Sequence, residues 1–129
     1  NSGLMMAQVT AAALVSDNKT LAHPDSVDSI PTSADQEDHV AMATNAARHA
    51  REIVWNATRV IAIELIAAAQ AIDLRLKNLG LNTQVLGGGT RAAYERVRAE
   101  IAYLDRDRVL ADDIARAAGL IEREILTAR

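Results

Sequence analysis

The sequence predicts an all-α protein organised around one very long helix, and three observations predict it. The stretch Gln36 to Lys77 runs about forty residues without proline or glycine, with apolar side chains at Val40, Ala43, Ala47, Ala50, Val54, Ala57, Ile61, Leu65, Ala68 and Ile72. Those steps of three and four keep one stripe on one face of a helix. Shorter helical patterns flank it at about 4–22, 91–104 and 112–127. Composition supplies the third: half of the residues are hydrophobic, yet there is no Phe, one Trp and two Tyr, and Ala dominates. Small side chains let helices approach closely but bury little area each, at about 25 cal/mol per Å², so stability has to come from many helix contacts.

Length sets the scale of the assembly. The long helix would span roughly 60 Å at 1.5 Å per residue, whereas a compact chain of 129 residues has a diameter of roughly 36 Å. Its second half, Val60 to Leu74, is apolar nearly all round, broken only by Glu64, Gln70 and Asp73. A helix apolar on every face needs neighbours on every face, so this chain reads as a piece of a larger helical assembly, covered by other copies, by missing sequence, or by both. The same run falls short of the about twenty apolar residues of a transmembrane span and carries two acids, which argues against a membrane.

Composition excludes further classes. The formal charge of −3 comes from acids and bases mixed throughout, giving no basic field for a nucleic acid. Without cysteine there are no disulfides and no thiolate metal sites, which suits a cytoplasmic protein. The chain fits one domain at most. It opens Asn-Ser-Gly without a targeting segment, and an Asn start implies residues missing upstream.

Taken in order, residues 4–22 form the first helix, with Ser2 as N-cap and His23-Pro24 ending it, because the residue before a proline leaves the helical region. The segment 23–35, with Pro24 and Pro31, is a loop; connections of that length are usually functional or disordered, and Val27 and Ile30 favour docking. Ser33-Ala34-Asp35-Gln36 has capping-box form, so the long helix is expected from Gln36, with Glu37 and Asp38 in its first turn, where the macrodipole favours carboxylates. Gly80 and Gly87-Gly88-Gly89 mark a flexible connection. Thr90 can cap the third helix, with Tyr94, Val97, Ile101 and Leu104 inward. Asp105-Arg106-Asp107-Arg108 is a charged turn, and the fourth helix follows with Ile114, Ala118, Ile121 and Ile125 inward. No internal repeat is evident.

The densest reactive cluster is Gln36-Glu37-Asp38-His39. Four adjacent residues on a helix point in four directions and cannot converge on one metal, so no metal site is expected; HExxH is absent. The cluster is either helix-start charge with a solvated His, or one of its members faces a pocket beside the docked loop. The triple glycine lacks the Lys-Ser/Thr of a phosphate-binding loop and the preceding strand, and reads as a linker. Arg48, Arg51 and Arg59 could hold an anion, but Glu52 and nearby polar residues suit a solvated face. Glu64, if buried, needs a partner such as an Arg.

The runs Asn1-Ser2-Gly3-Leu4-Met5-Met6, Leu21-Ala22-His23-Pro24, Ser26-Val27-Asp28-Ser29-Ile30-Pro31-Thr32-Ser33 and Gln36-Glu37-Asp38-His39-Val40, with Ala67-Ala68-Ala69-Gln70 and Asp73, closely resemble the aromatic amino acid lyase family, in particular its histidine ammonia-lyases. The likeness is specific over about the first 75 residues and corresponds to the C-terminal quarter to third of the family's chain, so residues 1–129 would be the C-terminal helical part of a long-helix bundle. The resemblance implies a homotetramer whose active sites draw on several subunits. It also implies elimination of ammonia from L-histidine to give urocanate, with a methylidene-imidazolone (MIO) electrophile made from an internal Ala-Ser-Gly. It places Glu37 at the substrate, as partner of the imidazole or participant in proton transfer, and Met5 in the lining of the same pocket. Phenylalanine lyases resemble Asn-Gln-Asp here, with Gln where this chain has Glu37, and a carboxylate suits a ring that can be cationic or donate N–H. No Ala-Ser-Gly occurs in the chain, and the family's tyrosine base is also absent, so the isolated chain is expected to be inactive. The alternatives are a tyrosine or phenylalanine ammonia-lyase or an aminomutase of the same family, or a noncatalytic helical oligomerisation module.

Overall fold

The computed structural model describes residues 2–37 and 39–123, and among them every regular element is helical. Four α-helices, α1 (Met5–Leu21), α2 (Ala43–Leu79), α3 (Gly88–Glu100) and α4 (Ala111–Glu122), are joined with 3₁₀ turns at Asp25–Asp28, Ser33–Asp35 and Thr83–Val85. The 37 residues of α2 make a rod roughly 55 Å long. It stops at Gly80, whose left-handed φ of 64° carries no Cβ clash. Leu81 then donates back to the carbonyl of Leu76 at 2.9 Å, closing the orphan carbonyls of the last turn.

The other helices lie against this rod. The inward side of α1 carries Leu4, Ala7, Ala11, Leu14, Asn18 and Leu21, again at steps of three and four. It runs antiparallel to α2: Asn56 Nδ2 donates to Asn18 Oδ1 at 2.9 Å near the far end of α1, while Leu4 packs by the cluster of Ala62, Ile66 and Ala69. Val97, Ile101, Ala117, Ala118 and Leu120 complete that core. Alanines from α2 and α4 meet there, which is how a chain without Phe packs closely.

Several expected boundaries move. The long helix begins at Ala43 rather than Gln36, and its first turn holds no acid. Ser33, Ala34 and Asp35 have φ of 51°, 53° and 64°, and Met42 has 53°, none of which a right-handed helix admits. The capping box therefore does not form; Ser33 Oγ instead donates to Glu37 Oε1 at 3.5 Å, and the amide of Val40 is taken by Ser29 Oγ at 3.2 Å. The loop thus extends from 22 to 42. Ser2 does not cap α1 either, since its amide donates to Asp107 and the N-cap is Leu4. The third helix starts at Gly88 instead of after Thr90, absorbing two glycines of the presumed linker, and ends at Glu100 rather than 104. It ends there because Ile101 turns extended (φ −127°, ψ 114°) to bury its side chain fully. Asp38 and the stretch 124–129, with Ile125, lie outside the described residues.

The face of α2 turned away from these contacts stays bare. Val54 is 65 % exposed and Ile61 46 %, and Leu79 is similarly open. Glu64 stands on the exposed side too, so it needs no buried counter-charge within the chain. Among the described residues no helix is long and apolar enough to cross a membrane.

Candidate functional site

Glu37 sits on the loop between α1 and α2. The cross-link from Ser29 to Val40 folds this segment on itself, leaving an open surface pocket of about 310 Å³ lined by Ser29, Ile30, Pro31, Asp35, Glu37 and His39. Glu37 itself is exposed, its carboxylate bonded among the described residues by Ser33 at 3.5 Å, and so open to accept from a ligand N–H. His39 lines the same pocket. The base of the loop lies against α2 where His49 Nδ1 comes within 3.0 Å of Asp25 Oδ2 without hydrogen-bond geometry, the Asp25 side chain being 12 % exposed.

Met5 lies elsewhere. It opens α1 and is 54 % exposed, and it does not line the neighbouring open cavity of about 630 Å³ between Gly3, Met6, Thr10, Arg59, Asp107 and Leu110. Its end of α1 packs near Ala62 to Ala69, whereas the Glu37 loop approaches α2 at His49. The 17 residues of α1, roughly 25 Å of helix, stand between them. Within one chain the two expected site residues are not brought together. The three arginines do not converge on a site either: Arg59 stacks its guanidinium 3.3 Å from the centre of the Trp55 ring, a cation–π contact, while Arg48 and Arg51 are exposed. Among the described residues no three His, Cys, Asp or Glu form a metal cage.

The charged turn after α3 holds polar chemistry that spacing alone did not single out. The amides of Ser2 and Gly3 donate to Asp107 Oδ2 and Oδ1 at 2.8 and 3.0 Å, and those two bonds hold the Asp107 carboxyl below its ordinary pKa. On the far side of the turn Arg98 pairs with Asp73 and donates to the carbonyls of Ile101 and Ala102 at 3.1 and 3.2 Å. Gln70 bonds both the amide and the carbonyl of Leu104 at 3.0 Å. Tyr94 donates to Asp73 Oδ1 at 2.6 Å, and that bond, with burial second, raises the phenol pKa. Arg108 closes the turn onto buried Asp113 with bonds of 2.8 and 3.0 Å. The available signal was the i, i+3 pair Gln70 and Asp73 facing the i, i+4 pair Tyr94 and Arg98, both on the inner faces of their helices.

Comparison with known proteins follows the same lines. The sequence pattern of the aromatic amino acid lyases matches residues 1–99. The chain is 53 % identical over 128 residues to a histidine ammonia-lyase of Symbiobacterium thermophilum, covering 99 % of this chain and 24 % of that one. It is 56 % identical over 121 residues to one of Alkaliphilus oremlandii, covering 94 % and 23 %. Among solved structures, histidine ammonia-lyase from Trypanosoma cruzi superposes with a TM-score of 0.88 at 43 % identity, over 98 % of this chain and 24 % of that one. A tyrosine aminomutase from Streptomyces globisporus reaches 0.85 at 37 % identity, over 98 % and 23 %. The chain therefore spans about a quarter of the length of these relatives. With the long rod, the packed flanking helices and most of the chain matched in sequence, the chain belongs to the aromatic amino acid lyase family.

Proposed function

We propose that this chain is the C-terminal helical part of an ammonia-lyase that converts L-histidine to urocanate and ammonia. In that reaction a proton leaves Cβ, its electron pair forms the Cα–Cβ double bond, and the Cα–N bond breaks to release ammonia. The observation that carries the substrate assignment is the carboxylate of Glu37, exposed on the rim of its cavity. An ionised carboxylate only accepts hydrogen bonds, so it suits the N–H of an imidazole and would orient that ring, or take part in moving its proton. A phenyl ring offers no such donor. The high identity to relatives named histidine ammonia-lyases supports the same choice.

The MIO group of such an enzyme makes the substrate prone to lose ammonia. No Ala-Ser-Gly exists in these residues to form it, so the role of this chain is confined to binding, orienting and proton handling. Met5 would supply apolar contact to the substrate. Because Met5 and Glu37 lie at opposite ends of α1, a pocket containing both takes them from different chains, which fits a cytoplasmic homotetramer with the bare face of α2 inside its helix bundle.

Two further readings have observations behind them. The superposition on a tyrosine aminomutase keeps an aminomutase or a tyrosine or phenylalanine lyase open, to be separated by substrate profiling. The bare stripe of α2 also suits a noncatalytic oligomerisation module; an Ala-Ser-Gly upstream in the same reading frame would support the enzyme instead. The direct test is Glu37→Gln in the full-length enzyme. We expect turnover to fall by about 100-fold or more with the tetramer intact, whereas near-normal kinetics would remove Glu37 from the site. The purified 129-residue chain is expected to produce no urocanate, read by its ultraviolet absorbance.

A further inference from the structure

The amides of Ser2 and Gly3 are successive donors that converge on one carboxylate, and the chain then bends at the left-handed φ of 57° of Gly3. Successive amides in such a bend form a concavity that binds an anion. Here the anion is a side chain from more than a hundred residues away, the carboxylate of Asp107, with one oxygen on each amide at 2.8 and 3.0 Å. Two residues later comes Met5, and Met5 in turn donates its amide to the Ser2 carbonyl at 3.2 Å. The position of Met5 is therefore set by a turn whose free donors are filled by Asp107. Asp107 is itself held in place: the residues before it are fixed by Arg98 and Gln70, and Arg108, next in the chain, is locked to buried Asp113 and to the carbonyls of Ala102 and Tyr103 at 2.9 and 3.1 Å. Asp107 also lies beyond residue 99, where the match to the family pattern ends.

We propose that Asp107 is a positioning residue for the substrate pocket: it pins the Ser2-Gly3 turn and through it places the Met5 side chain against the substrate. The proposal rests on the reading that Met5 lines that pocket. The turn is the element that moves when the carboxylate is lost, because nothing else supplies acceptors to its two amides among the described residues. Substrate contact is then lost without loss of the chemical step, so KM changes and kcat does not.

The test is a double-mutant cycle in the full-length enzyme with L-histidine as substrate. Asp107→Ala and Met5→Ala are each expected to raise KM on the order of tenfold, the scale at which small misplacements act, with kcat within about threefold and the tetramer intact. Asp107→Glu, which keeps the carboxylate, is expected to recover part of the loss. The double variant should be no worse than either single one, since both remove the same contact. A KM unchanged in Asp107→Ala, or losses that multiply in the double variant, would overturn the positioning role. An unaffected Met5→Ala would overturn it for a different reason, by removing Met5 from the pocket. A fall in kcat with loss of tetramer in both Asp107→Ala and Asp107→Glu would show a folding role instead.

Discussion

Replacing Arg98 by Met tests whether the turn between α3 and α4 is held from α2. The guanidinium is 14 % exposed and its partner Asp73 20 %, so both charges are largely shielded, and removing one leaves the other uncompensated. Loss of a partner from a buried pair costs about 3–5 kcal/mol; with a fifth of Asp73 still wet and Tyr94 still donating to it, about 2–4 kcal/mol is the better figure. Two carbonyls of the turn, at Ile101 and Ala102, lose a donor as well, although Arg108 still serves Ala102. The readout is native-state hydrogen exchange of the Leu104 amide, which Gln70 Oε1 accepts at 3.0 Å. A local opening eased by that amount speeds exchange by roughly 30- to 1,000-fold. Adding Asp73→Asn should return part of the protection, because the stranded charge is then gone. Exchange at Leu104 within about threefold of the parent protein would refute the reasoning, since a surface pair of no net worth gives that result.

The remaining expectations are simpler. Tyr94 has its phenol pKa raised above 10.0, first by the bond to Asp73 and then by burial, so the stability it contributes is complete below pH 10.0 and fades as pH climbs through the folded value; Tyr94→Phe should flatten that alkaline loss in a pH series of thermal unfolding. Asp107 has its pKa lowered from 3.8 by the amides of Ser2 and Gly3, so its contribution is present above pH 3.8 and lost as pH falls through the lower folded value. Protection of the Gly3 amide, taken relative to the intrinsic exchange rate at each pH, should therefore fall in acid in the parent protein and be flat in Asp107→Ala. Leu120 is 1 % exposed within the core, and Leu120→Ala should cost about 2–5 kcal/mol by chemical denaturation, a cost below about 1 kcal/mol showing that α4 is not docked as described.

The long rod was legible because nothing but apolar periodicity is needed to read it, and its bare face was legible because a helix can be longer than the chain is wide. Its start was not. The capping box at Ser33 to Gln36 is a local pattern, and it lost to a contact eleven residues long in which Ser29 takes the amide of Val40. The left-handed run at 33–35 had no signal either, since Ser, Ala and Asp replace the Gly that usually announces it. Met5 and Glu37 were reached through resemblance, spacing having offered only a choice between solvated charge and pocket. Asp107 read as one member of a charged turn, because its partners are amides at the opposite end of the chain. Gln70 and Asp73 could be seen as polar breaks in an apolar helix, but their partners on α3 depend on how two helices dock.

The left-handed run has one last consequence. Ser33, Ala34 and Asp35 are all exposed, and exposed positions usually tolerate most exchanges within about 0.5 kcal/mol. Here the backbone does the choosing: a β-branched residue at φ near 50° is a true outlier, so Ala34→Val would be resisted although its methyls would touch only water. Gly or Asn would be welcome at the same place. The stretch just ahead of Glu37 is thus narrow in the residues it accepts, for a reason invisible to any inventory of what its side chains touch.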